Sequence, residues 1–189
     1  DRDIVNPSQI RTVIHAFKEN LNTTLFPRRE EVPKTLIFAK TDSHADDIIQ
    51  IVREVFGKGN DFCRKITYSA VNPESILSSF RNDYNPRIAV TVDMIATGTD
   101  VKPIECVVFM RDVRSKNYFE QMKGRGTRVL CKEDLQKVTP DATDNKDHFV
   151  IVDAVGVTKS KKTDTRPLEY KPTVSTEELM KSVALGAQD

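Results

Sequence analysis

Much of what decides chemistry is scarce in this 189-residue chain. It has three cysteines, Cys63, Cys106 and Cys131, and no C-x-x-C pair. That excludes a disulfide framework and fits reduced thiols in a cytoplasmic protein. The three histidines, His15, His44 and His148, stand far apart without ligand-type neighbours, so no metal site is expected. No apolar run reaches membrane-spanning length and no signal peptide is visible, which excludes a helical membrane anchor in this stretch. Lys and Arg total 29 against 28 Asp and Glu, a net charge of +1. Bulk charge therefore gives no reason to expect nucleic acid; only a local cluster could. No G-x-x-x-x-G-K-[S/T] is present, so nothing can cradle β- and γ-phosphates and place Mg²⁺. No D-E-x-H carboxylate pair offers metal-linked activation of water. The absent initial Met and abrupt opening read as a piece of something longer.

What is present alternates. Ser8–Leu21 carries Ile10, Val13, Ile14, Phe17 and Leu21 at helical spacing, with Ser8 as the expected cap after Pro7. A Pro-bounded polar linker, FPRREEVP, follows. Thr35–Ala39 is a short apolar run of the kind buried on both faces of a sheet. Asp42 or Ser43 is placed to cap the next helix, whose inner face is Ala45, Ile48, Ile49, Val52 and Phe56, and Gly57 stops it. A second strand is expected around Lys65–Tyr68, then a helix opened by Pro73. Further strands are expected at Arg87–Val92, Glu105–Met110 and His148–Asp153, with a helix over Ser115–Met122. Residues 132–147 read as a polar loop, and 156–171 as an exposed linker. STEELMKSVAL reads as a terminal helix capped from Ser175 or Thr176. Strands alternating with helices predict an α/β fold with a mainly parallel sheet covered on both faces. Ligands are then expected at the carboxyl ends of the strands, here Lys40-Thr41, Ser69, Asp93–Asp100, Arg111 and Asp153.

Two stretches carry the chemistry. Tyr118–Arg128, YFEQMKGRGTR, ends a helix on Gly124 and Gly126 and sets Arg125 and Arg128 three apart. Such planar forks suit phosphate oxygens, and an Arg offered to a nucleotide held elsewhere is the arginine-finger device. The plainer account is a helix end whose cations complement the macrodipole. Arg111–Lys132 holds seven basic residues against Asp112 and Glu120, which alone could be a solvated face. The other stretch, Val92–Asp100, carries Gly98-x-Asp100 after a buried strand. Gly98 permits close backbone approach, and Asp100 can accept from a sugar hydroxyl. Thr91, Thr97 and Thr99 offer hydroxyls and N–H groups to nucleic-acid phosphates. The two stretches are expected to meet on the carboxyl edge. A dinucleotide-binding reading fails because Gly124-Arg125-Gly126 follows a helix, not a strand. A docking domain without chemistry would have no use for Gln121, Arg125 and Arg128 together.

TLIFAKT, RIAVTVDMIATGTDV and FEQMKGRGTR resemble, in order and spacing, motifs IV, V and VI of superfamily 2 helicases, in their second RecA-like domain. The longer wording, from about residue 3 to residue 171, resembles the motor-endonuclease (R) subunit of type I restriction enzymes; another superfamily 2 helicase or repair translocase is the alternative. The resemblance implies a RecA-like three-layer α/β/α domain over 33–155, a helical arm and linker over 1–32, and a linker and terminal helix over 156–189. It implies that Arg125 and Arg128 face the triphosphate of ATP, that Gln121 couples that site to its neighbours, and that Gly98 and Asp100 lie near the ribose. Lys40 and Thr41 would lie near the nucleic-acid backbone, with Thr91 and Thr97. ATP and Mg²⁺ would be held mainly by a first motor domain. Implied partners are double-stranded DNA, the remaining R-subunit domains, and the methyltransferase and specificity subunits. Many relatives have Thr-Asp where this chain has Val92-Asp93. Glu169-Tyr170-Lys171 mimics a nuclease Glu-x-Lys, but Pro167 and Pro172 bracket it, against a central strand. The chain alone is expected to be inactive as ATPase and nuclease.

Overall fold

The computed structural model describes residues 5–93 and 100–163. Thr97 and Gly98, the Glu-x-Lys at 169–171 and the expected terminal helix lie outside them. Helix α1 (Pro7–Asn20) runs into a π-turn at Leu21–Leu25. Then come β1 (Thr35–Phe38), α2 (Asp42–Phe56), β2 (Cys63–Lys65), α3 (Pro73–Asn82) and β3 (Ile88–Thr91). After them follow β4 (Cys106–Phe109), α4 (Lys116–Lys123), α5 (Lys132–Gln136) and β5 (Val150–Asp153). The strands form one sheet in the order β2-β3-β1-β4-β5, and every pair is parallel.

Burial explains the strands. All four residues of β1, β3 and β4 are buried, so these central strands read as unbroken apolar runs. Alternate residues feed two cores. Ile37, Val90, Cys106 and Val108 meet α1 and α2 on one face. Leu36, Phe38, Ala89, Val107 and Phe109 meet α3 and α4 on the other. Ile10, Ile14 and Phe17 of α1 are at most 3% exposed, so the opening helix shares the sheet's core. At roughly 1.5–3 kcal/mol per buried large apolar side chain, those three residues hold α1 firmly.

Several local expectations shift. The cap of α1 is Asn6, whose side chain accepts the Ser8 N–H, with Pro7 inside the first turn. The cap of α2 is Thr41, whose hydroxyl accepts the His44 N–H at 3.2 Å. Asp42 is occupied elsewhere: it takes hydrogen bonds from Lys65, Thr67 and Ser69. The same bonds end β2 at Lys65 rather than Tyr68, because Thr67 and Ser69 turn toward Asp42 and leave Tyr68 74% exposed. Gly57 closes α2 at φ +63°, the left-handed cap that glycine suits. Residues 132–147 are more than a polar loop. They contain α5, and Leu135, Val138, Thr139, Ala142 and Lys146 are buried.

These residues sit beneath the sheet, at the amino ends of its strands. Arg87, which precedes β3, is 1% exposed and donates to the Val138 carbonyl and to the Thr139 hydroxyl. Lys34, which precedes β1, is fully buried and donates to the carbonyls of Asp83, Tyr84 and Pro86. Glu105, which precedes β4, pairs with Arg29 of the linker. Buried charges are costly unless paired or hydrogen-bonded; Lys34 and Arg87 find carbonyls and the Thr139 hydroxyl, and one oxygen of Glu105 finds Arg29.

Candidate functional site

Asp100, Gln121, Gly124, Arg125 and Arg128 line one cavity of about 330 Å³, together with Val101 and Thr127. Local sequence explains the assembly. Ser115 caps α4 by accepting the Tyr118 N–H. Phe119 and Met122 bury one face of that helix, which leaves Gln121 exposed on another. A 3-10 turn over Gly124–Gly126 then redirects the chain. Gly126 is required there by contact: a β-carbon on it would lie 2.2 Å from Phe149 Cδ2. The ring just before β5 thus packs directly on the backbone of the arginine turn.

The electrostatics are those of a loosely held cation pair around one carboxylate. Arg128 Nε lies 3.1 Å from Asp100 Oδ1, with side chains 63% and 44% exposed. A pair that exposed is worth at most about 1 kcal/mol, so a stronger anion can displace the carboxylate. Arg125 is half-buried. Burial pulls its pKa below the usual arginine range, Asp100 opposes this, and Arg128 adds to it. It remains a cation at any physiological pH. Two forks facing one exchangeable carboxylate can accept an anion with several oxygens.

The site's position corrects one expectation. Every strand pair is parallel, so each connection returns to the opposite end of the sheet. Asp100 lies shortly before Cys106, the first residue of β4, and Arg125–Arg128 follow the returning helix α4. Asp100 and the arginines do meet, but toward the amino ends of the strands, not on the carboxyl edge. The carboxyl edge holds a separate set. Asp42 is held down to about 2 by its bonds from Lys65, Ser69 and Thr67. Asp93 pairs with Arg111 at 3.3 Å and accepts the Tyr118 hydroxyl, while the Arg111 guanidinium lies 5.7 Å from the Tyr118 ring centre. Burial, with Asp93 adding, pushes the Tyr118 phenol up to about 12.

The candidate nucleic-acid residues fare unequally. Thr41 is exposed at the carboxyl edge but serves as the cap of α2. Lys40 is half-buried beside it, with its backbone N–H on His44 Nδ1 at 3.1 Å. Thr91 is fully buried in β3, so its hydroxyl faces core, not solvent. Thr97 and Gly98 lie outside the described residues. Sequence reasoning missed Lys146 entirely. It is 4% exposed and donates to the Gly126 carbonyl at 2.7 Å and to the Arg128 carbonyl. A lysine in a polar stretch carries no periodic signal that could have flagged it.

Comparisons with known proteins bear on this geometry. Residues 12–129 match the helicase conserved C-terminal domain family. The chain is 33% identical over 194 residues to the type I restriction enzyme EcoKI endonuclease subunit of Escherichia coli K12, covering 97% of this chain and 15% of that protein. Among solved structures, a fragment ascribed to an HsdR subunit of a type I restriction enzyme from Vibrio vulnificus YJ016 superposes with TM-score 0.60 at 25% identity, over 81% of this chain and 29% of that one. Domain 2 of the DEAD-box helicase Mss116p, solved bound to an RNA duplex, superposes with TM-score 0.50 at 17% identity, over 94% of this chain and 70% of that one. The latter likeness speaks to the fold alone.

Proposed function

The chain belongs to the helicase conserved C-terminal domain family of superfamily 2 and is similar over nearly its whole length to a type I restriction R subunit, and on that premise we propose that it is the second RecA-like domain of an ATP-dependent DNA-translocating motor. Its motor body would be residues 33–155, with 1–32 as arm and linker and 156–189 as linker and tail. The observation that carries this reading is the shared cavity of Asp100, Gln121, Arg125 and Arg128. The donor set fits a nucleotide: two forks for phosphate oxygens, and a carboxylate that can turn to a ribose hydroxyl. Gly98, from the same motif as Asp100, would let backbone approach the nucleotide.

In this account Arg125 and Arg128 act in trans, on a triphosphate bound mainly by a first motor domain. Mg²⁺ held there would neutralise charge on the β- and γ-phosphates. The forks of this chain would stabilise charge that develops on the transferring phosphoryl group, without proton transfer. Arg128 must leave Asp100 to do so, and the weakness of that pair makes the exchange easy. Gln121, exposed on the same cavity, would relay nucleotide occupancy to neighbouring groups. DNA would run along the carboxyl edge past Lys40 and Thr41, on a different end of the sheet from the nucleotide, and Thr97 would be a further contact to its backbone. Duplex DNA, the remaining R-subunit domains, and the methyltransferase and specificity subunits would be the partners, in the cytoplasm.

The division of labour is testable. The chain alone, lacking a phosphate loop, should release no phosphate from ATP with or without DNA. The complete subunit should hydrolyse ATP when duplex DNA is added. DNA-stimulated phosphate release by the purified chain alone would refute the half-site assignment.

A further inference from the structure

We infer that Lys146 is a positioning residue for the arginine forks, fixing from beneath the backbone that carries Arg125 and Arg128. The inference rests on the motor reading above and adds to it a part supplied by a different segment of the chain.

Three observations carry it. First, the Lys146 ammonium donates to the carbonyls of Gly126 and Arg128. These two acceptors flank Thr127, so one donor group ties two peptide units of a single turn together. Arg128 is thereby held by its own carbonyl while its guanidinium remains on the exchangeable contact with Asp100. Second, Lys146 is itself fastened. Its backbone forms a two-way bridge with Leu130: Leu130 N–H to the Lys146 carbonyl at 3.0 Å, and Lys146 N–H to the Leu130 carbonyl at 2.8 Å. The Lys132 N–H adds a bond to Asn145 Oδ1 at 2.8 Å. Third, Lys146 is buried, 4% exposed as a residue. Burial lowers its pKa to about 8, and the nearby Glu105 carboxylate opposes that shift. A desolvated ammonium binds carbonyls strongly, because charge-assisted bonds exceed neutral ones by roughly twofold.

Glycine makes such a prop necessary. Gly124 and Gly126 give the turn its bend, but they also leave it with few rotational restraints of its own. Gly126 must remain glycine to admit Phe149. Rigidity therefore has to come from outside the turn, and Phe149 and Lys146 supply it from one short stretch. Forks that act on a developing charge gain from being held in place beforehand.

The experiment is a double-mutant cycle on ATP turnover in the complete subunit, using Lys146→Met, Arg128→Ala and both together. Lys146→Met keeps bulk but removes the donors. It should lower DNA-stimulated kcat by about 10-fold to 100-fold, while ATP affinity changes by less than about 3-fold, because misplaced forks affect turnover rather than binding. In the Arg128→Ala background the same substitution should cost less, because one of the two forks it positions is gone. A general loss of stability would instead act equally in both backgrounds. Lys146→Gln retains two N–H donors without charge and serves if the Met variant does not fold; it should give a smaller drop with the same non-additivity. Turnover near wild type in the Lys146 variants, or equal losses in both backgrounds, overturns the inference while leaving the motor reading intact. Retained turnover in Arg128→Ala overturns the motor reading and this inference with it.

Discussion

Gly126→Ala perturbs the site by a single methyl group. The added carbon would lie 2.2, 2.4 and 2.9 Å from Phe149 Cδ2, Cγ and Cε2. Ordinary carbon contacts are about 3.5–4.0 Å, so the nearest contact is short by roughly 1.3 Å. Gly126 has no positive φ, so the backbone conformation itself would accept alanine and the ring alone objects. Phe149 is half-buried and packs against the core that holds Val107, Phe109 and Met122. Either the ring or the arginine turn must move. Overpacking of this kind costs about 1–3 kcal/mol, readable as a lower denaturation midpoint at unchanged slope. Phe149→Ala should relieve the clash, so the double variant should lose less stability than the two single losses added, with coupling on the order of 0.5–3 kcal/mol. Turnover of the complete subunit should fall as well, because the turn carries Arg125. A Gly126→Ala midpoint indistinguishable from wild type, with an additive cycle, would refute the contact.

Two further outcomes follow from the buried and edge cations. Burial, with Arg87 adding and Asp83 opposing, lowers Lys34 to about 7 from an ordinary 10.5. The unfolded chain then holds more protons above pH 7, so stability should rise with pH from about 7 toward 9, with a slope of at most about 1.4 kcal/mol per pH unit. Lys146, lowered to about 8, acts in the same direction, so Lys34→Met should flatten only part of the rise; an unchanged pH profile in that variant would show that Lys34 does not titrate there. On the carboxyl edge, Lys40→Ala should weaken duplex binding evenly across sequences and reduce the slope of log affinity against log salt by roughly one; an unchanged slope in fluorescence titrations at two ionic strengths would remove Lys40 from the DNA track.

The parallel sheet, most of the succession of strands and helices along the chain, and the motifs were legible because local pattern reports them. Unbroken apolar runs at Thr35, Ile88 and Cys106 mark central parallel strands, and the alternation with helices marks a doubly covered sheet. The juxtaposition of Asp100 with Arg125 and Arg128 was also legible, because motif order carries it. Its end of the sheet was not: Asp100 was assigned by its distance after β3, whereas its nearness to β4 sets its height. Hydroxyls misled in two places. Thr67 and Ser69 bond Asp42 across 25 and 27 residues, which no strand propensity reports, and so β2 ended early. Thr91 looked like a phosphate contact because it is polar, yet it is fully buried in β3. Lys146 and the Gly126–Phe149 contact depend on 132–147 folding back under the sheet. A short helix with one buried leucine leaves little periodicity from which to foresee that.

The central claim is that Arg128 acts as a planar fork on a nucleotide held by another domain. Arg128→Lys keeps the charge and discards the fork. Because Arg128 is 63% exposed at its side chain, folding should be unaffected. In the complete subunit, DNA-stimulated ATP turnover and nucleotide affinity are measured side by side for Arg128→Lys and Arg128→Ala. Both variants should lose turnover on the order of 10³-fold or more, with ATP affinity falling only a few-fold because, in the proposed motor, a first domain would dominate binding. Turnover by Arg128→Lys within about 3-fold of wild type would contradict the claim, and return these arginines to the role of cations closing a helix end.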